Sequence, residues 1–176
     1  FGTSYGSQKF FATLQQPTVN IGEPYQGGIV AYIFQPEDPG YVVGETHGII
    51  VSSQDIAYTT WYPPNSLVTG TTGYEIGTGA ANTTTIINFV GDENQNCAAL
   101  KCVLYDFGGY YDWFLPSLNE LMKVYENKGE IGGLSNGYYW TSTKDGLSGD
   151  YARIVGFSIG DAFSTPSLNT NAVRAC

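Results

Sequence analysis

The stretch DWFLPSLNEL, residues 112–121, decides how this chain is read. Two aromatic residues, Trp113 and Phe114, run into Leu115-Pro116-Ser117, and from Ser117 the pattern turns helical. Ser117 suits an N-cap, because its hydroxyl accepts from a free backbone N–H of the first turn. Glu120 stands three residues on, where a carboxylate reaches back to the cap's own N–H, and Pro116 and Leu121 take the staple positions. Leu118, Leu121, Met122 and Tyr125 recur at helical spacing, and Gly129 is read as the end. A short amphipathic helix draws its stability from packing one face, so a sharp start matters where it is fixed between strands.

Strands are expected on both sides of this helix. Upstream, GGIVAYIF (27–34) and HGIIVSS (47–53) are β-branched and aromatic runs separated by the turn PEDPGYVVG. Ala57 to Gly79 is rich in Thr, Tyr, Pro and Gly and reads as mostly loop. An earlier helix is expected after Asp92, which stands three residues before Gln95 in a capping pattern. Leu100, Val103 and Leu104 form its apolar stripe, and Gly108-Gly109 close the segment. Downstream, YYWTST (138–143), YARIVGFS (151–158) and NAVRAC (171–176) read as short strands. Strands, two helices, then strands again make an α+β chain. Residues 1–19, FGTSYGSQKFFATLQQPTV, carry neither helical period nor core pattern, so they read as an extended arm before a domain at 20–176.

The totals narrow the function. A chain of 176 residues is one domain with room for an arm, and its core needs no metal. The net charge of −9, with seven Lys and Arg, argues against nucleic acid, which demands a basic footprint. Anionic membranes and sulfated glycans are disfavoured by the same repulsion. No apolar run reaches the length of a membrane-spanning helix. Few charges and abundant Gly, Tyr, Thr, Ser and Asn suit a strand-rich extracellular domain. No secretory signal is visible, and Phe1 is read as a terminus left by processing.

Candidate chemistry is sparse. His47 is the one histidine, and no G-x-S-x-G accompanies it, so a hydrolytic triad is not expected and the chain is read as non-enzymatic. Asp92, Asn94 and Asn96 mimic the first ligands of a calcium loop, yet Cys97 and Val103 stand where its glycine and last acid belong. No metal or other cofactor is expected, although calcium held by scattered loop oxygens stays open. GTGAANTTT (77–85) lacks both phosphate-loop and dinucleotide patterns and is read as a structural loop; Asn82-Thr83-Thr84 is a glycosylation sequon. Cys97, Cys102 and Cys176 are odd in number. In a helix over 97–104 the first two lie roughly 8–9 Å apart, beyond disulfide reach, so one pairs with Cys176 or none pairs.

Several segments, in order, resemble one family. They are IGEPYQGGIVAYI, HGIIVSSQD, IGTGAANTTTII, CAALKC, GGYYDWFLPSLNEL, YYWTST and the closing VRAC. Together they look like the C-terminal domain of the Legionella collagen-like adhesin and the related Fibrobacter major paralogous domain, over residues 20–176. The resemblance implies a C-type lectin-like fold: two helices packed on a twisted, mainly antiparallel sheet, with N- and C-terminal strands close together. It makes Trp113 and Phe114 core wedges and Leu115-Pro116 the corner from which the helix leaves. It also implies a Cys102–Cys176 disulfide and a structural role for His47.

The segment 144–172 mixes Asp, Ser, Asn and Thr with aromatic residues, the palette of a paratope. In lectin-like proteins the corresponding region carries the ligand surface. Asp145, Asp150, Tyr151, Phe157, Asp161, Phe163, Asn169 and Asn171 are the expected contacts, and a glycan or a protein is the expected ligand. The location expected is extracellular or at the cell surface, alternatively on a virion. A second reading is a structural subunit of a surface filament or virion. There Phe1, Tyr5, Phe10, Phe11 and Leu14 make the arm too apolar to stand in water, so it either folds back on its own domain or adds a strand to a neighbour's sheet edge.

Overall fold

The expected strands form where glycine and turn residues bound the apolar runs. The structure, a computed structural model, describes residues 18–62, 73–91, 96–145 and 150–176. Arm residues Phe1, Tyr5, Phe10, Phe11 and Leu14 and the expected cap at Asp92 lie outside the described residues. Upstream come β1 (Pro24–Tyr25), β2 (Gly28–Ile33), β3 (Gly48–Val51) and β4 (Ala57–Thr59). Helices α1 (Gly79–Val90), α2 (Ala98–Val103), α3 (Leu118–Glu126) and α4 (Lys128–Ile131) follow. The chain returns to strands in β5 (Tyr138–Lys144), β6 (Tyr151–Gly156), β7 (Asp161–Pro166) and β8 (Asn171–Val173).

The strands make two sheets, one of order β1-β2-β3 and one of order β4-β8-β5-β6-β7. All pairings are antiparallel except β5 with β8. The fold is mixed α+β, with antiparallel sheets and few helices. The C-terminal strand lies against β4, and beyond it the Ser52 amide donates to the Ala175 carbonyl at 2.8 Å. Two indoles tie β4 to β5: Trp61 Nε1 donates to the Thr141 carbonyl at 2.7 Å, and Trp140 Nε1 to the Thr59 carbonyl at 2.8 Å.

Alternation along β5 and β6 splits the core in two. Trp140, Ala152 and Ile154 pack with Trp61, Ile86, Ala98, Ala99 and Cys102 under α1 and α2. Tyr139, Val155 and Phe157 pack with Leu118, Leu121 and Val124 of α3 and with Ala31, Ile49 and Val51 of the smaller sheet. Trp113 is buried in the first cluster, while Phe114 is half-buried against the second.

Helix α3 begins as expected: the Ser117 side chain accepts from the Glu120 amide and the Glu120 carboxylate accepts from the Ser117 amide. It ends at Asn127, whose side chain reaches back to the Ala31 carbonyl of β2; Gly129 lies inside α4, and Gly132, at φ 67°, closes that helix. Three further expectations are corrected. GTGAANTTT is the start of a helix, because the buried positions Gly79, Asn82, Thr83 and Ile86 make a helical stripe whose polar members are hydrogen-bonded. The described residues therefore hold more than two helical segments. The next helix starts after Cys97, with the Ala98 amide satisfied by the Thr60 carbonyl; Val103 and Leu104 face solvent, and Ala98, Ala99, Leu100 and Cys102 are buried.

The disulfide implied by the resemblance is not formed: Cys97, Cys102 and Cys176 are all free and buried. Asn82 is no glycan acceptor here, since its buried amide donates to the Gly73 carbonyl and to Ser142 Oγ. No helix among the described residues is long and apolar enough to cross a membrane.

Candidate ligand-binding groove

One face of the larger sheet changes character along its width. Strand register aligns Trp140 with Ile154, Tyr138 with Gly156, and Ile154 with Phe163. Side chains two apart share a face, so Trp140, Ile154, Phe163 and Tyr138 all project to the side that α1 and α2 cover. Trp140 and Ile154 are buried, whereas Tyr138 and Phe163 are 48% and 37% exposed. The helical cover stops between them, and a groove of about 470 Å³ opens beyond it.

Ile154 floors this groove and Tyr138 and Phe163 flank it. The two rings meet edge to face, 6.1 Å between centroids at 83°. That geometry suits aromatic quadrupoles and keeps one ring face open to a neighbour. Gly156 permits it, because a Cβ there would meet Tyr138 at 3.1 Å and Phe163 at 3.3 Å. The rim comes from β7 and the turn into β8, where Asn169 Nδ2 donates to Thr165 Oγ1 at 2.7 Å. Asn171 closes the end. It is only 7% exposed, and its Nδ2 finds no acceptor among the described residues. A buried amide donor without a partner costs about 1–3 kcal/mol. Among the described residues no charged side chain lines the groove.

Of the residues expected from the sequence, Phe163, Asn169 and Asn171 meet here. Asp161 pairs with Gly156 and so lies on the same sheet face at the start of β7, exposed. Tyr151 pairs with Pro166 at the far end of β6 and alternates to the opposite face. Asp145 lies there too, its amide donating to the Tyr151 carbonyl. Asp150 is a tie between segments: its carboxylate accepts from the Tyr62 hydroxyl at 3.1 Å and its carbonyl from the Ser167 hydroxyl at 2.8 Å. Phe157 is corrected outright. It is fully buried, 5.4 Å from the Tyr125 ring and 4.4 Å from that of Tyr139, because β6 alternation turns it into the α3 cluster. Tyr138 was missed. Its signal was the pair Tyr138-Tyr139, of which a strand can bury only one against the same core.

The cysteines, Glu120 and His47 lie apart from this groove. Burial pushes the thiols of Cys102 and Cys176 well up and that of Cys97 up, away from the thiolate a nucleophile needs. Burial also raises the Glu120 carboxyl, although hydrogen bonds from the Ser117, Gly77 and Gly79 amides oppose it. His47 is exposed and meets Glu45 at 2.7 Å. No cluster of metal-ligating side chains occurs among the described residues. Compared with known proteins, the chain matches no family model and no curated protein.

Proposed function

We propose that this chain is a non-enzymatic binding module of C-type lectin-like type, displayed outside the cell or on a virion, and that it recognises a neutral glycan through the groove between Tyr138, Phe163 and Asn171. One observation carries the reading: an exposed aromatic pair stands beside a buried amide that lacks a partner. A sugar ring offers what these residues lack, an apolar face for the aromatic rings and hydroxyl oxygens for the amide. The uncharged lining favours a neutral ligand, and the volume lies within the roughly 300–1,000 Å³ typical of small-ligand sites. The raised thiols support a non-catalytic role.

The test is a screen of the labelled chain against immobilised neutral and acidic glycans, with hydrogen exchange mapping the hit. Protection of β7 and the β7–β8 turn by a neutral glycan supports the reading. Binding of a protein surface instead would move the ligand class, and protection elsewhere would remove the groove. A second reading, a structural subunit assembling through its N-terminal arm, is favoured by β3, which among the described residues is a border strand of the smaller sheet.

A further inference from the structure

We propose that the groove between Tyr138, Phe163 and Asn171 selects an acetamido group, so that its ligand is a neutral oligosaccharide carrying N-acetylated sugars. This deepens the glycan-binding reading of that groove and rests on it. Neighbouring strands bring the determinants together. On β8, Val173 packs in the core cluster under α1 and α2, and Asn171, two residues earlier, shares its face. Tyr138, Ile154 and Phe163 project to the same side. Strand β8 runs beside β5 with Ala172 opposite Tyr139, so Asn171 stands one strand away from Tyr138, at the buried end of the groove.

Two side chains of the groove have hydrogens to give. Asn171 Nδ2 is buried and finds no acceptor among the described residues. Thr165 lies on the rim, where its Oγ1 already accepts from Asn169 Nδ2 at 2.7 Å. That bond occupies a lone pair and leaves the Thr165 hydroxyl hydrogen without an acceptor among the described residues. An amide donor and a hydroxyl donor therefore flank an apolar wall of Ile154, Tyr138 and Phe163.

A plain sugar hydroxyl suits Asn171 less well than a carbonyl does. The hydroxyl accepts one hydrogen but brings one of its own, which must then be satisfied at a position nearly closed to water. The carbonyl oxygen of an acetamido group only accepts. The same group ends in a methyl, which packs on the edge-to-face pair of Tyr138 and Phe163. One substituent thus meets both the donor and the rings. A carboxylate also only accepts, but among the described residues the groove lining holds no cation to pair with a buried charge.

The test uses matched neutral sugars with and without the acetamido group: chitotetraose against cellotetraose, and N-acetyllactosamine against lactose. Titration calorimetry measures each on the full chain, on Asn171→Ala and on Thr165→Val, while hydrogen exchange records where each sugar binds. The acetylated member of at least one pair is expected to bind about tenfold tighter or more, the ratio one well-made hydrogen bond supplies, with β7 protected. Asn171→Ala should bring that ratio close to one. A merely structural Asn171 would weaken both sugars alike and leave the ratio unmoved. Thr165→Val, on the rim, should lower the same ratio and decides the matter if Asn171→Ala fails to fold. Protection of β7 by a sugar without acetamido groups, at an affinity equal to or above that of the acetylated ones, overturns the inference and leaves the groove reading standing. A preference that both variants retain overturns it too. If no neutral sugar protects β7, the groove reading falls and the inference with it.

Discussion

The carboxylate of Glu120 receives the backbone amide of Gly77 at 2.8 Å, across 43 residues of sequence. Its other oxygen receives the Ser117 amide at 2.7 Å, so one buried side chain joins the approach to α1 with the start of α3. A substitution separates charge from hydrogen bonding here. Glu120→Gln removes the buried charge but also turns one acceptor into a donor facing an amide. An unsatisfied buried donor costs about 1–3 kcal/mol, and denaturant midpoints at neutral pH are expected to fall accordingly.

The pH dependence of that loss has a definite sign. Burial raises the folded-state pKa of Glu120 above its unfolded value, so the native state binds the proton more tightly. The contribution of Glu120 to stability is fully present below the unfolded pKa and is lost as pH rises through the folded one. Glutamine does not titrate. The gap between wild type and Glu120→Gln is therefore expected to widen on acidification into the carboxylate range; a gap that narrows instead would mean that the amide donors outweigh burial.

Ser117→Ala removes a cap whose hydroxyl also donates to the Glu75 carbonyl at 2.8 Å. A lost cap costs roughly 0.5–2 kcal/mol, and the second bond places the loss in the upper half of that range. Urea titration of the two proteins measures it. An unchanged midpoint contradicts the cap.

The capping box of α3 was legible because it is written in consecutive letters. Helix α1 was not, because two of its buried positions, Asn82 and Thr83, are polar and break the apolar period. They are buried only because Gly73, Leu115 and Ser142, distant in sequence, supply their partners. The site divides the same way. Phe163, Asn169 and Asn171 were readable from the composition of their segment, whereas Tyr138 joins them only through the pairing of β5 with β6 and β6 with β7. Phe157 misled because composition does not show which strand face meets a helix.

Arg174 was not singled out, yet it is fully buried and central. Its guanidinium donates to the Ser52 carbonyl at 2.7 Å and to the Gly133 carbonyl, and its Nε lies 3.0 Å from Asp55 Oδ1. Arg174→Ala strands these acceptors and is expected to cost about 3–5 kcal/mol. Arg174→Lys rescues little, since a point charge cannot reproduce the planar fork. Thermal melts of both variants check this, and full rescue by lysine would contradict it.

The three thiols are expected to resist iodoacetamide in the native state and to react once the chain unfolds, as burial raises their pKa. Non-reducing peptide maps should show three separate cysteine peptides. A linked Cys102–Cys176 peptide would restore the bridge that the family resemblance implies.

Binding by the groove is tested most directly by titration calorimetry of a neutral glycan selected by the screen into wild type, Phe163→Ala and Asn171→Ala. Phe163 is partly exposed, so its loss should leave the melt little changed while weakening binding by about tenfold or more. Asn171→Ala removes an unpartnered buried amide, so folding stability should hold or rise while affinity falls. Wild-type affinity in both stably folded variants would contradict the groove as the binding surface.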